Sequence, residues 1–86
     1  MEKFPILKNE HVVLLRAELS TGIVLDEQLF RATKDGQKVY TVFEEVDKSL
    51  QFAKQLISEH PNVECCIYSN EQKVLFYMTA EKTTEY

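Results

Sequence analysis

The chain of 86 residues has only two glycines and two cysteines, and it contains no long run of apolar residues. A membrane-spanning helix needs roughly 20 consecutive apolar residues, so we expect no association with a membrane. The two glycines, Gly22 and Gly36, do not precede a predicted helix, which argues against a glycine-rich cradle for phosphate. The first residues lack the apolar stretch of a secretory signal, and we therefore expect a cytoplasmic protein.

The motifs of common catalytic sites are also missing, since the sequence has no Gly-x-Ser-x-Gly, no phosphate-binding loop and no His-Glu-x-x-His. His11 starts a predicted strand, and His60 precedes Pro61 at the end of a predicted helix, where an imidazole suits the last carbonyls. A zinc site built from both histidines with Cys65 and Cys66 would match no usual ligand spacing. We therefore predict no enzyme, no cofactor and no metal.

Cys65 and Cys66 are neighbours within a predicted strand, so their side chains should point to opposite faces of the sheet. A disulfide between them would be strained, and we expect two reduced thiols, one of them packed in the core. The alternative is a redox-sensing pair, which would need surroundings that stabilise a thiolate, whereas the adjacent Glu64 disfavours one.

The chain is acidic, with 14 acidic residues against 10 basic ones and a net charge of −4. This balance opposes unspecific binding to nucleic acid or to anionic lipid. The densest acidic cluster is formed by Glu44, Glu45 and Asp47 at the start of the predicted helix. It could bind a divalent cation or a basic partner, although the helix dipole alone also favours acidic residues there.

The basic residues come closest to forming a patch around the Asp35-Gly36 dipeptide. Arg31, Lys34 and Lys38 lie there with Tyr40, and together they could contact a phosphate backbone. Three basic residues beside an aspartate predict weak nucleic-acid binding at most.

Alternating apolar residues predict strands at 12–19, 29–34, 39–43, 63–68 and 73–79. Asp35-Gly36 predicts a tight hairpin between the second and third of these strands, and the polar residues 69–72 predict a second hairpin between the last two. Residues 23–28 either extend a strand or pack as a loop.

Apolar residues at helical spacing predict one helix over residues 46–59, which Pro61 ends. We therefore predict a single α+β domain over residues 1–86: an antiparallel β-sheet packed on one α-helix, in the order β-β-β-α-β-β. Residues 1–10 and 80–86 are expected to be less ordered.

One helix covers only one face of a sheet, yet several predicted strands are apolar on both faces. The face predicted to lie away from the helix, which we call the tyrosine face, carries Tyr40, Val42, Cys66, Tyr68, Leu75 and Tyr77. Tyrosines combine an apolar ring with a polar tip, as the centres of protein interfaces often do.

We therefore predict a small non-enzymatic interaction module that self-associates, most simply as a homodimer, through the tyrosine face. In one alternative the face is covered by the N-terminal segment, with apolar residues Phe4, Ile6, Leu7 and Ile23 to Leu25. In another, the protein is an inhibitor, immunity or antitoxin-type protein that masks a basic partner. The third is weak nucleic-acid binding by the residues around Asp35-Gly36.

Overall fold

The computed structural model describes residues 2–86, and Met1, part of the segment expected to be less ordered, lies outside them. The strands are β1 (Val12–Glu18), β2 (Val24–Leu25), β3 (Tyr40–Phe43), β4 (Val63–Tyr68), β5 (Val74–Met78) and β6 (Thr83–Glu85). The helix α1 (Val46–Glu59) lies between β3 and β4. The predicted α+β class and the order β-β-β-α-β-β are thus confirmed, and the short β6 follows within the segment 80–86.

All strand pairs of the single sheet are antiparallel, in the order β2-β1-β4-β5-β6. β3 lies beside β2 on the same edge of β1, because β3 pairs with residues 12–15 and β2 with residues 16–17. The predicted hairpin across residues 69–72 is confirmed, since β4 pairs with β5. β1 and β4 form the centre of the sheet.

Helix α1 packs its apolar side against β1, β3 and β4. Ser49, Ala53 and Ile57 are its buried residues, one turn apart, and the Ser49 hydroxyl donates to the carbonyl of Val46 at 2.6 Å. The buried core between helix and sheet contains Val12, Leu14, Leu25, Ala53, Ile57, Val63, Cys65, Ile67 and Met78. Among the described residues, no helix is long and apolar enough to cross a membrane.

The predicted strand 29–34 and its hairpin are wrong: β3 pairs with β1 instead, and residues 26–38 form what we call the Asp26 loop. Side-chain hydrogen bonds replace the expected ladder. The Asp26 carboxylate accepts from the backbone N–H groups of Gln28 and Phe30, and Gln37 Oε1 accepts from those of Thr33 and Lys34. Local hydrogen bonds of this kind offer the backbone an alternative to a strand.

Candidate interaction surface

The tyrosine face is formed by cross-strand neighbours, whose side chains lie on the same side of the sheet. Val13 pairs with Val42 and Tyr68, and Leu15 pairs with Tyr40 and Cys66. Tyr77 follows across the next strand pair, opposite Cys66. The sheet therefore brings together five of the six predicted residues, namely Tyr40, Val42, Cys66, Tyr68 and Tyr77.

Leu75, the sixth predicted residue, does not join this face. Ile67 pairs with Phe76 while Tyr68 pairs with Val74, so Leu75 is the extra residue of a β-bulge. A bulge shifts the alternation of side chains by one position. Leu75 instead packs against the core cluster and lies near Val46 and Phe76.

The N-terminal segment covers one end of the tyrosine face. The Phe4 ring meets the ring of Tyr40 edge-on at 5.4 Å between centroids and the ring of Tyr68 at 6.0 Å. Glu2 fixes the segment, because its Oε1 accepts from the backbone N–H groups of Val39 and Tyr40 at 3.0 and 3.2 Å. Val13, whose side chain is on this face, is 0% exposed. Helix α1 lies on the other side of the sheet, so it does not account for the burial of Val13.

Beyond Phe4 the tyrosine face opens into a shallow depression of about 150 Å³. We call this region the open patch; it is lined by Leu15, Ala17, Gly22, Val24, Glu64, Cys66, Tyr68 and Tyr77. Val42, on the same face, is 45% exposed. The N-terminal segment thus accounts for part of the apolar surface on this side of the sheet and leaves the rest accessible.

The polar groups of the open patch are paired with one another. The Tyr77 hydroxyl donates to the Glu64 carboxylate, and this bond, followed by burial, raises the pKa of Tyr77 to about 12. Burial, followed by a hydrogen bond with Cys66, raises the pKa of Tyr68 to about 12. Both phenols therefore stay neutral at physiological pH, and the patch presents rings and aliphatic groups around a single hydrogen-bonded carboxylate.

Both thiols are free, and they lie on opposite faces as the sequence predicts. Cys65 is buried in the core, where desolvation raises its pKa to about 12. Burial also raises the pKa of Cys66, although its hydrogen bond with Tyr68 acts in the other direction. Neither environment stabilises a thiolate, which argues against a reactive pair.

We expect both thiols of the native protein to react slowly with a disulfide reagent such as DTNB at pH 8. For a pKa near 12, roughly one Cys65 side chain in ten thousand is a thiolate at that pH. Absorbance at 412 nm should show two thiols released rapidly only after denaturant is added. Cys66→Ser and Cys65→Ala variants assign the phases, and a fast native phase from either cysteine would contradict the assignment.

The basic residues around Asp35-Gly36 are largely engaged by acidic neighbours. Arg31 donates from Nε and Nη2 to the Glu18 carboxylate at 3.1 and 3.0 Å, and Lys38 Nζ lies 3.9 Å from a Glu2 oxygen. Lys34 is exposed. The Tyr40 ring faces Phe4, so it is not free to stack on a base.

The two histidines lie at opposite ends of the helix, and His11 is at the acidic end. His60 is the C-cap residue of α1, and its backbone N–H donates to the carbonyl of Leu56 at 2.8 Å. His11 lies at the other end, next to a groove of about 590 Å³ that Glu44 and Glu45 also line. Within residues 2–86, no group of three or more His, Cys, Asp or Glu side chains is arranged to hold a metal ion.

Comparison with protein-family models, with curated proteins and with solved structures finds no match for this chain.

Proposed function

We propose that the protein is a small, non-enzymatic interaction module of the cytosol that self-associates through the open patch of the tyrosine face. The observation that carries this proposal is an accessible, mainly apolar surface on a central part of the sheet, opposite the only helix of residues 2–86. Sheet faces that remain apolar outside the core are typical of surfaces that bind another protein.

The distribution of charge favours the open patch as the place where two copies meet. The chain carries a net charge of −4, so two copies repel one another across most orientations. The open patch has Glu64 as its only charged lining residue among those described, and Tyr77 donates to that carboxylate. A face-to-face arrangement through the patch therefore brings the copies together where repulsion is weakest.

The cytosolic location rests on the cysteines. Cys65 and Cys66 are both free, and Cys66 lies on the accessible face. A half-buried free thiol at an interface is compatible with the reducing conditions of the cytosol.

Solution mass tests self-association. Light scattering over a concentration series should show a rise from 10.0 kDa toward twice that mass for the wild type. Val24→Glu and Val42→Glu each place a new carboxylate on the tyrosine face, where it would face its own copy. Each should weaken the dimer at least about tenfold, while circular dichroism shows an unchanged fold.

Phe30→Glu is the matched control, because it also replaces an exposed apolar side chain by glutamate. Phe30 is 64% exposed, belongs to the Asp26 loop and is not among the residues that line the open patch. The control should keep the mass of the wild type. A wild type that stays monomeric up to about 1 mM, or a dimer that Phe30→Glu weakens as much as Val24→Glu, would refute the proposal.

A further inference from the structure

The helix side of the sheet is only partly covered. Helix α1 packs on β1, β3 and β4, while β5 and β6 extend the sheet beyond it. Two strands spaced by about 4.8 Å make a strip roughly 10 Å wide. That width is close to the diameter of one α-helix, about 10 Å.

A groove with an apolar floor lies along this strip at the start of α1. It has a volume of about 590 Å³, and its floor and wall are formed by Val12, Val46, Leu75 and Phe76. These residues come from β1, α1 and β5, and three of them pack against the core cluster from its edge. The groove is therefore an open continuation of the core.

A second depression, of about 450 Å³, continues along the same elements toward the end of α1. Ile57 and Met78 line it, and Met78 is two residues beyond Phe76 on the same face of β5. In β6 the same relation holds, since Thr83 lines the second depression and Glu85 the first. Both depressions lie beside α1 along β5 and β6, and we call the two together the helix-side groove.

The charges along the rim of the helix-side groove are unequal at its two ends. At the start of α1 the rim carries four glutamates, namely Glu10, Glu44, Glu45 and Glu85. The described residues that line this end include no lysine or arginine. The other end carries both signs, with Lys54 and Lys82 beside Glu81. Charge complementarity therefore specifies a partner that is basic at one end.

We propose that the helix-side groove binds an amphipathic α-helix of a partner protein. Its apolar stripe lies over Leu75 and Phe76, and its Lys or Arg residues lie beside Glu44 and Glu85. A partner helix of three to four turns, about 21 Å, would match the length of α1. A second copy of this chain does not fit this site, because the one helix described within residues 2–86 is itself acidic at its start. This binding is separate from self-association through the open patch.

A synthetic helical peptide serves as the probe. It has about 16 residues, a leucine stripe at i, i+3, i+4 and i+7, and lysines concentrated in one terminal turn. A second peptide has the same stripe with glutamates in place of the lysines. Fluorescence anisotropy should show saturable binding of the basic peptide and much weaker binding of the acidic one. Backbone amide chemical shifts should change at Val46, Leu75 and Glu85.

Variants that change rim charges locate the site. Glu44→Lys combined with Glu85→Lys should weaken binding of the basic peptide by about tenfold and favour the acidic peptide. Glu59→Lys combined with Asp35→Lys is the matched control, because it changes the net charge equally at exposed positions that do not border the acidic end. The control should weaken binding less than about threefold, as expected for distant screened charges.

Three outcomes would overturn the proposal. The first is no saturable binding of the basic peptide up to about 1 mM. The second is equal weakening by both variant pairs, which would indicate only a general attraction to an acidic protein. The third is a set of shift changes confined to the tyrosine face, which would place the peptide on the open patch instead.

Discussion

Replacing Arg16 with methionine is expected to raise the free energy of unfolding by about 1–3 kcal/mol, although it removes a charged side chain from the central strand. Arg16 is 1% exposed and lies on β1 among the residues that face α1. Its Nη2 donates to the Thr41 hydroxyl, but Nε and Nη1 find no acceptor within residues 2–86. Methionine keeps most of the side-chain volume and removes the need for hydrogen bonds.

The balance of electrostatic effects supports this direction. Burial lowers the pKa of the Arg16 guanidinium, and the attraction of Glu27 and Asp26, which acts in the opposite direction, does not cancel it. A buried cation that is not fully paired destabilises the folded state, because the free-energy cost of desolvation exceeds the stabilisation from its hydrogen bonds and its attraction to acidic partners. The contribution of Arg16 to stability is therefore expected to be negative.

A double-mutant cycle with Thr41 isolates the cause. Thr41→Val alone leaves the guanidinium without its hydroxyl acceptor and should lower the free energy of unfolding by about 1–3 kcal/mol. In the Arg16→Met background the same change should lower the free energy of unfolding by less than about 0.5 kcal/mol, because no guanidinium is left to donate a hydrogen bond to the Thr41 hydroxyl. Urea denaturation with linear extrapolation measures all four proteins. An Arg16→Met variant that is less stable than the wild type would show that Glu27 and Asp26 compensate for burial after all.

The burial of Arg16 also shows where sequence patterns are sufficient and where they are not. Arg16 lies on the face of β1 opposite Leu15 and Ala17, as the alternation of side chains along a strand requires. The pattern does not say which face the helix covers, because Val12 and Leu14 make both faces apolar. Only the packing of α1 decides that the arginine lies inside.

Regular elements were predictable because their signals are local. Helix α1 has an apolar stripe and ends before Pro61, and both strands of the hairpin β4–β5 are clear in the sequence. The hairpin at Asp35-Gly36 failed for an equally physical reason. Asp26 and Gln37, which are 11 residues apart, bond to each other and to the intervening backbone, and no short window of sequence contains that network.

Of the two candidate surfaces, the tyrosine face was largely predictable from the sequence and the helix-side groove was not. Five of the six predicted residues lie on the tyrosine face because alternation within a strand fixes its faces, and Leu75 departs from them because a bulge interrupts that alternation. The helix-side groove was not predictable, since it joins residues from β1, α1, β5 and β6. Its one signal in the sequence is the pair Glu44 and Glu45, for which the helix dipole already offers a sufficient reason.

Asp26 holds the loop that replaced the predicted hairpin, and its substitution is expected to have the second large effect. It is 7% exposed. Its Oδ1 accepts from the backbone N–H groups of Gln28 and Phe30 at 2.8 and 3.0 Å, and its Oδ2 accepts from Gln37 Nε2 at 2.8 Å. Asp26→Asn would turn an amide group toward the Gln37 amide, so two donors would meet. Gln37 is not free to reverse, because its Oε1 already accepts from the backbone N–H groups of Thr33 and Lys34.

The same contacts make the stability of the protein depend on pH. The hydrogen bond from Gln37 is the main cause that lowers the pKa of Asp26, and the backbone N–H groups of Phe30 and Gln28 and the charge of Arg16 act with it, against burial. A carboxyl whose pKa is lower in the folded state stabilises the protein above its ordinary pKa of 3.8. This stabilisation is lost as the pH falls from there through the lowered pKa. A similar but exposed contribution comes from Glu18, whose pKa is lowered first by its hydrogen bond from Arg31.

We therefore expect Asp26→Asn to lower Tm by about 5–10 °C at pH 7 and to make the fall of Tm below pH 4 shallower than in the wild type. Differential scanning calorimetry at several pH values between 7 and 2.5 measures both effects. Glu71→Gln, which removes one charge from an exposed turn, should keep the wild-type Tm and the wild-type dependence of Tm on pH.

The slope of Tm against pH distinguishes two possible causes of the lower Tm of Asp26→Asn. If Asp26→Asn ran parallel to the wild type down to the lowest pH, the lowered pKa would play no part, and Asp26 would act only as a neutral acceptor. A shallower slope together with a lower Tm at pH 7 requires the ionised carboxylate, held by Gln37 and the loop backbone, to stabilise the segment between β2 and β3.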